Sequence, residues 1–158
     1  MHEIHPNRLW LGYARDIREP RRLLEAGITA VVDVALEEPL AQLPRHLIYC
    51  RFPPNDGGGN ENAVLLQAIQ TLADLLDSGT RTIVACSAGM SRCPTVAAFA
   101  LAAHLSQKPD DVIARIAGVK PLELNRELWD EVARIFPEVR RADSRRFDDQ
   151  VGACPEAL

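Results

Sequence analysis

The chain has no apolar run of membrane-spanning length and no apolar N-terminal stretch of the secretory kind, so no membrane partner is expected. Its four cysteines, at positions 50, 86, 93 and 154, form no Cys-x-x-Cys pair. That argues against a disulfide framework and fits reduced thiols in a cytoplasmic protein. His2, His5, His46 and His104 lack zinc-like spacing with those cysteines, so neither a metal nor another cofactor is expected. Basic residues are not in excess: 18 Lys and Arg face 22 Asp and Glu, a formal charge of −4. With aromatics at 5% and nowhere interleaved with basic residues, the chain lacks the footprint of a nucleic-acid binder. Internal repeats and extended low-complexity segments are also missing.

What is present is 158 residues with 47% apolar content, enough for one well-buried core and one main domain. One stretch organises the rest: Arg81-Thr82-Ile83-Val84-Ala85-Cys86-Ser87-Ala88-Gly89-Met90-Ser91-Arg92-Cys93-Pro94-Thr95. Residues 82–85 predict a strand buried on both faces, and the Ala-rich run from Pro94 to Ala102 predicts a buried helix with proline near its first turn. The loop of small residues between them ends at a helix N-terminus. Such a loop aims main-chain N–H groups and the positive end of the helix dipole at one point, a place for a tetrahedral dianion. The same field favours a thiolate at Cys86. Arg92 adds a planar fork of donors able to bind two phosphoryl oxygens at once, and Gly89 suits a positive φ or a close approach to the ligand. Ser87, Ala88, Gly89, Met90, Ser91 and Arg92 are therefore the expected phosphate-binding positions.

A Cys-x5-Arg loop with this strand, this helix and the internal Ala-Gly-x-Ser-Arg resembles the phosphate loop of the dual-specificity phosphatases, within the cysteine-dependent protein tyrosine phosphatase superfamily. The opening of the chain, with Leu-Trp-Leu-Gly at 9–12 and Gly-Ile-Thr at 27–29, resembles the same family. The resemblance covers residues 2–136. It implies hydrolysis of phosphomonoesters, phosphotyrosine and also phosphoserine or phosphothreonine, through a cysteinyl-phosphate. It implies a phosphorylated protein or a small phosphomonoester as substrate, and a monomer that needs no metal.

Protonating the leaving oxygen requires a carboxylic acid across the pocket from the nucleophile. Asp56 is the candidate, on the glycine-rich loop Asn55-Asp56-Gly57-Gly58-Gly59-Asn60, 30 residues before Cys86, where the family carries its acid in a similar Asn-Asp context. Asp33, Asp74 and Asp77 have simpler structural readings, and Asp56 itself could be an ordinary turn residue. The loop's flexibility invites comparison with a lid. Two positions depart from the family: Ala85 stands where histidine usually precedes the nucleophile, and Cys93 where serine or threonine follows the arginine. Ala85 predicts a less ionised Cys86. Cys93, with only a weak S–H donor, is either a helix-start packing residue or an auxiliary redox partner of Cys86. These departures keep a second reading in view, a catalytically weak pseudophosphatase that binds phosphate or phosphoproteins; a rhodanese-like sulfur transferase is a third.

Periodicity along the chain predicts an edge strand at 9–11, a helix at 16–26, strands at 28–34 and 46–52, a helix from Glu61 to Ser78-Gly79, and helices at 109–117 and 122–136, the last ended by Pro137. The fold expected is α/β, a mostly parallel sheet of about four to five strands with helices on both faces and the phosphate loop between a central strand and a helix. Residues 1–137 are expected to form the catalytic domain, and 138–158 a polar tail or a docked extra helix.

Overall fold

The computed structural model describes the backbone of residues 1–151 and side chains as far as Val139. Strands β1 (His2–His5), β2 (Leu9–Tyr13), β3 (Ala30–Asp33), β4 (Ile48–Arg51) and β5 (Thr82–Cys86) alternate with helices α1 (Ala14–Ile17), α2 (Pro20–Glu25), α3 (Asn62–Asp77), α4 (Arg92–Leu105), α5 (Pro109–Ala117) and α6 (Arg126–Val151). The five strands form one sheet in the order β1-β2-β5-β3-β4. All neighbours run parallel except the β1–β2 hairpin. The β-branched run of β5, buried throughout, is the middle strand, with Tyr13 of β2 opposite Cys86 on one side and Asp33 of β3 opposite Ala85 on the other.

Because successive strand residues face opposite sides, β5 divides its side chains between two cores. Val84 and Cys86 join Leu9, Leu11, Val32 and Val34 under α3, α4, α5 and α6, the larger core. Ile83 and Ala85 join Trp10, Val31, Ile17 and Leu23 under α1 and α2. Helix α4 is the hub of the larger core. Every residue from Arg92 to Ala102 is buried, and the helix packs against α3, α5 and α6, with Phe99 4.7 Å from the Trp129 ring and 5.1 Å from Phe136.

The α/β architecture with helices on both faces matches the expectation; three local features differ. The Leu-Trp-Leu strand is not an edge, because β1 pairs with it and takes that place. The His-Glu-Ile-His sequence of β1 has no apolar alternation to announce it, and its pairing is a main-chain matter. The helix expected over 16–26 is two short helices, since Glu19, the residue before Pro20, leaves the helical region at φ −112° and ψ 76° and Pro20 starts a new helix.

The last helix also differs at both ends. It begins at Arg126 rather than 122, because Asn125 Oδ1 accepts from Glu127 N at 3.0 Å and Leu128 N at 3.2 Å and so caps it there. Nor does Pro137 end it: α6 runs to Val151 with Pro137 inside. Proline forfeits one i→i−4 hydrogen bond, but continuing the helix extends the buried stripe Leu128, Val132 and Ile135 by Val139, 2% exposed. The core therefore reaches past residue 137. The rest of the expected tail falls mainly on side chains and C-terminal residues, Cys154 among them, outside the described ones.

Candidate active site

Cys86 ends β5 with its side chain in the larger core, 2% exposed, and Arg92 opens α4, 4% exposed. In the loop between them, the carbonyls at 87, 89, 90 and 91 are held by α1, by the segment between α5 and α6, and by the first turn of α4. Ser87 O accepts from Ala14 N at 3.5 Å, Met90 O from Glu123 N at 3.1 Å, Ser91 O from Thr95 N at 3.0 Å, and Gly89 O from Lys120 Nζ. A loop gripped by its carbonyls presents its N–H groups to the concave side. Lys120 is buried and lies 4.9 Å from the centre of the Tyr13 ring, so the loop has a cation at its back. Gly89 sits at φ +67°, and a Cβ there would come within 3.0 Å of Lys120 Nζ and 3.1 Å of Gly12 O. Both the sign of φ and the lack of room require glycine.

The Cys86 thiol is pushed down to about 6. The largest cause is a hydrogen bond from the Cys93 side chain; burial opposes the shift, and the Cys93 N–H, the Arg92 charge and the Gly89 N–H add to it. Cys93 is fully buried, with its own thiol pushed up by burial and by Cys86. Its S–H lies 3.6 Å from Gly12 O and also within reach of Cys86; a thiolate is the stronger acceptor of that S–H hydrogen bond, and Cys93 keeps its proton. Cys93 thus does more at this position than its weak donor strength suggests. Ala85, at the position where the family usually carries histidine, faces the opposite core and is fully buried there.

Arg92 is held by Glu37, which sequence reasoning missed. Nη1 donates to Glu37 Oε2 at 2.6 Å and Nη2 to Oε1 at 2.5 Å, while Ser87 Oγ donates to the same carboxylate. The Arg92 hydrogen bonds hold the Glu37 carboxyl down at about 2, against its desolvation. Glu37 lies just beyond the carboxyl end of β3, next to β5; position relative to a parallel strand end was the signal that could have found it. Only the end-on edge of the guanidinium is taken by Glu37. Arg92 Nε is buried with no hydrogen-bond partner among the described residues and lies 4.0 Å from Asp56 Oδ2. A buried, unpartnered guanidinium N–H beside an N–H cradle is a place for an anion.

Asp56, on the loop after β4, comes to the same point from the other side. Its Oδ1 accepts from Ser91 Oγ at 2.5 Å, and Ser91 Oγ accepts from Asn125 N at 3.1 Å. Oδ2 is left facing the cradle. The other aspartates are occupied elsewhere: Asp33 accepts from Tyr49 OH at 2.7 Å and from Ala35 N at 3.0 Å, Asp74 from Gln70, and Asp77 pairs with His104 at 2.5 Å. Of the expected loop residues, Gly89 and Ser91 are buried, Ser87 and Met90 half-buried and Ala88 exposed. A cleft of about 490 Å³ beside the loop is lined by Tyr13, Ala14, Arg15, Arg18, Glu38 and Ser87. Among the described residues no His, Cys, Asp or Glu cluster could hold a metal ion, and no helix is long and apolar enough to cross a membrane.

No protein-family model matches the sequence, and no curated protein matches it. Solved structures do. Human DUSP28 is 22% identical, with 92% of this chain and 99% of that one covered at a TM-score of 0.75. DUSP15 is 19% identical over 92% and 96% of the two chains at 0.75, and PTPMT1 19% identical over 91% and 98% at 0.73. Sheet order, helix placement and the strand–loop–helix that carries Cys86 and Arg92 together give this chain the fold of the dual-specificity phosphatases.

Proposed function

We propose that the protein is a cysteine-dependent phosphatase that hydrolyses phosphomonoesters, with Cys86 as nucleophile, Asp56 as general acid and then base, and Arg92 with the loop N–H groups as the phosphate clamp. The Cys86 thiolate attacks phosphorus in line, the S–P bond forms as the P–O bond breaks, and Asp56 gives its proton to the leaving oxygen. Water then attacks the cysteinyl-phosphate and returns a proton to Asp56. The S–P bond breaks, releasing inorganic phosphate and the thiolate. Arg92 and the amides from Ser87 to Arg92 stabilise charge on the equatorial oxygens in both steps.

The observation that carries this reading is a thiol lowered to about 6, sharing one cradle with an Arg92 Nε–H that has no hydrogen-bond partner among the described residues and, 4.0 Å from it, Asp56 Oδ2. A module that only bound phosphate would need neither the acidified sulfur nor the acid. Substrates are phosphorylated proteins, on tyrosine and on serine or threonine, or small phosphomonoesters; the cleft at Tyr13 and Arg15 is the place for the group that carries the phosphate. We place the protein in the cytoplasm as a monomer, since a nucleophilic thiolate must stay reduced. Residues 1–137, extended by Val139, are the catalytic unit.

Turnover of a generic aryl phosphate by the wild-type protein and by Cys86→Ser tests the reading. The wild type is expected to release phosphate and the variant none. Equal rates, or sulfur transfer from thiosulfate without phosphate release, would overturn it.

A further inference from the structure

We propose that Glu131 is a positioning residue for the general acid: its carboxylate clamps the 57–60 turn to α6 and so holds Asp56 over the phosphate cradle. The inference rests on the reading of Asp56 given above.

The turn has little of its own to fix it. Three of its four residues are glycines, Gly59 lies at φ +80°, and a Cβ on Gly59 would touch nothing within 4 Å. Its internal closure comes from Asn60, whose Oδ1 accepts from Asn55 N and whose Nδ2 donates to Gly57 O, both at 2.7 Å. Among the described residues, its other hydrogen bonds come from α6 and the residue that caps it. Glu131 Oε1 accepts from Gly59 N at 2.7 Å, and Oε2 from Asn60 N at 3.2 Å and Asn60 Nδ2 at 3.0 Å. One turn earlier, Glu127 Oε2 accepts from Gly58 N at 3.1 Å, and the cap residue Asn125 donates through Nδ2 to the main-chain oxygen of Asp56 at 3.2 Å.

Two carboxylates spaced i, i+4 on a helix repel each other. Here they are matched by a row of main-chain N–H groups; the Asn60 amide is the largest cause holding the Glu131 carboxyl below its usual range. The opposite face of α6 is seated in the core through Leu128, Val132 and Ile135, so the clamp stands on a fixed post. The loop that suggested a lid is tied to α6 by these bonds. Asp56 is 44% exposed, and its one side-chain hydrogen bond among the described residues is to Ser91, so its position follows from where the turn is held.

A clamp on the acid matters most where protonation of the leaving group matters most. The test is kcat/KM for a series of aryl phosphates whose phenols rise in pKa, measured for wild type, Glu131→Gln, Glu131→Asp and Asp56→Asn. The amide introduced by Glu131→Gln would put an N–H₂ against a row of N–H donors. That variant is expected to lose under about twofold with the best leaving group and about tenfold with the poorest, as a fraction of the general-acid effect. Glu131→Asp, which keeps the charge at shorter reach, should fall between Glu131→Gln and wild type. Amide exchange at Gly59 and Asn60 in the same variants reads the clamp without reference to catalysis, and should quicken in Glu131→Gln. A wild-type leaving-group slope in Glu131→Gln, or unchanged exchange there, overturns the proposal while the phosphatase reading stands. A wild-type slope in Asp56→Asn overturns the assignment of the acid itself, and the clamp's catalytic role with it.

Discussion

The two walls of the site are built in opposite ways. The Cys86 wall is local: a buried strand, a turn that must be glycine at 89 and a helix start follow one another in sequence, and the surrounding core fixes them from both sides. The Asp56 wall is exposed, glycine-rich and held from a distance, by side chains about 70 residues downstream on α6. Burial and main-chain geometry secure the proposed nucleophile, which must ionise in place. Side-chain hydrogen bonds secure the proposed acid, which must take up and give back a proton where water can reach it. The contrast predicts that damage to the first wall removes chemistry for every substrate, whereas damage to the second depends on the leaving group.

Cys86→Ser should have the largest effect, lowering kcat on the order of 10⁵-fold or more for good and poor leaving groups alike. Asp56→Asn should cost about 10²–10⁴-fold with a poor leaving group and far less with a good one, read from the slope of log(kcat/KM) against phenol pKa. A uniform loss in Asp56→Asn would erase the contrast between the walls. Next comes Cys93→Ala, which removes the donor that most lowers the Cys86 thiol. The acidic limb of kcat/KM, expected near pH 6 in the wild type, should move up by about one pH unit, a roughly tenfold loss on that limb. Cys93→Ser should restore much of it, and an unmoved limb in Cys93→Ala would assign the acidification to the main chain and Arg92.

Stability should carry the same signature in a smaller form. A thiol lowered from 9.0 to about 6 binds fewer protons folded than unfolded across that window. The thiolate's contribution is therefore fully present above pH 9 and is lost as pH falls through 6. Denaturant unfolding of Cys86→Ser should show a flatter pH dependence between those values than the wild type. Ala85→His is expected not to sharpen ionisation but to strain the smaller core, since residue 85 faces Trp10, Val31 and Ile83 with no exposure. A cost of about 1–3 kcal/mol in unfolding free energy is expected from overpacking. A stable Ala85→His with a lower acidic limb would contradict that placement.

How much of this was legible in the sequence follows from the same contrast. The strand, the small-residue loop and the buried helix around Cys86 and Arg92 announce themselves because their determinants are neighbours in the chain. Asp56 could be chosen by chemistry and by the turn it sits in, but what holds it could not. Glu127 and Glu131 look like the solvated face of an amphipathic helix until the fold brings the glycine turn against them. Glu37 and Lys120 were hidden for the same reason, since each acts on the loop from another element, one gripping Arg92 and the other Gly89 O. Pro137 misled because a local rule about helix ends lost to a tertiary gain, one more buried side chain at Val139. At Ala85, the alternation of the strand places the side chain in the smaller core, away from Cys86.

The proposed function makes one demand of the first wall, that Cys86 be a thiolate at neutral pH inside an oxyanion cradle. Alkylation of Cys86 by iodoacetamide, followed by mass spectrometry from about pH 4.5 to about pH 10 with and without vanadate, reads that state with no turnover assay in between. The alkylation rate should rise with a midpoint near 6 and be suppressed by the oxyanion. A midpoint near 9, the ordinary value for the thiol, with no protection by vanadate, would leave the site without its nucleophile.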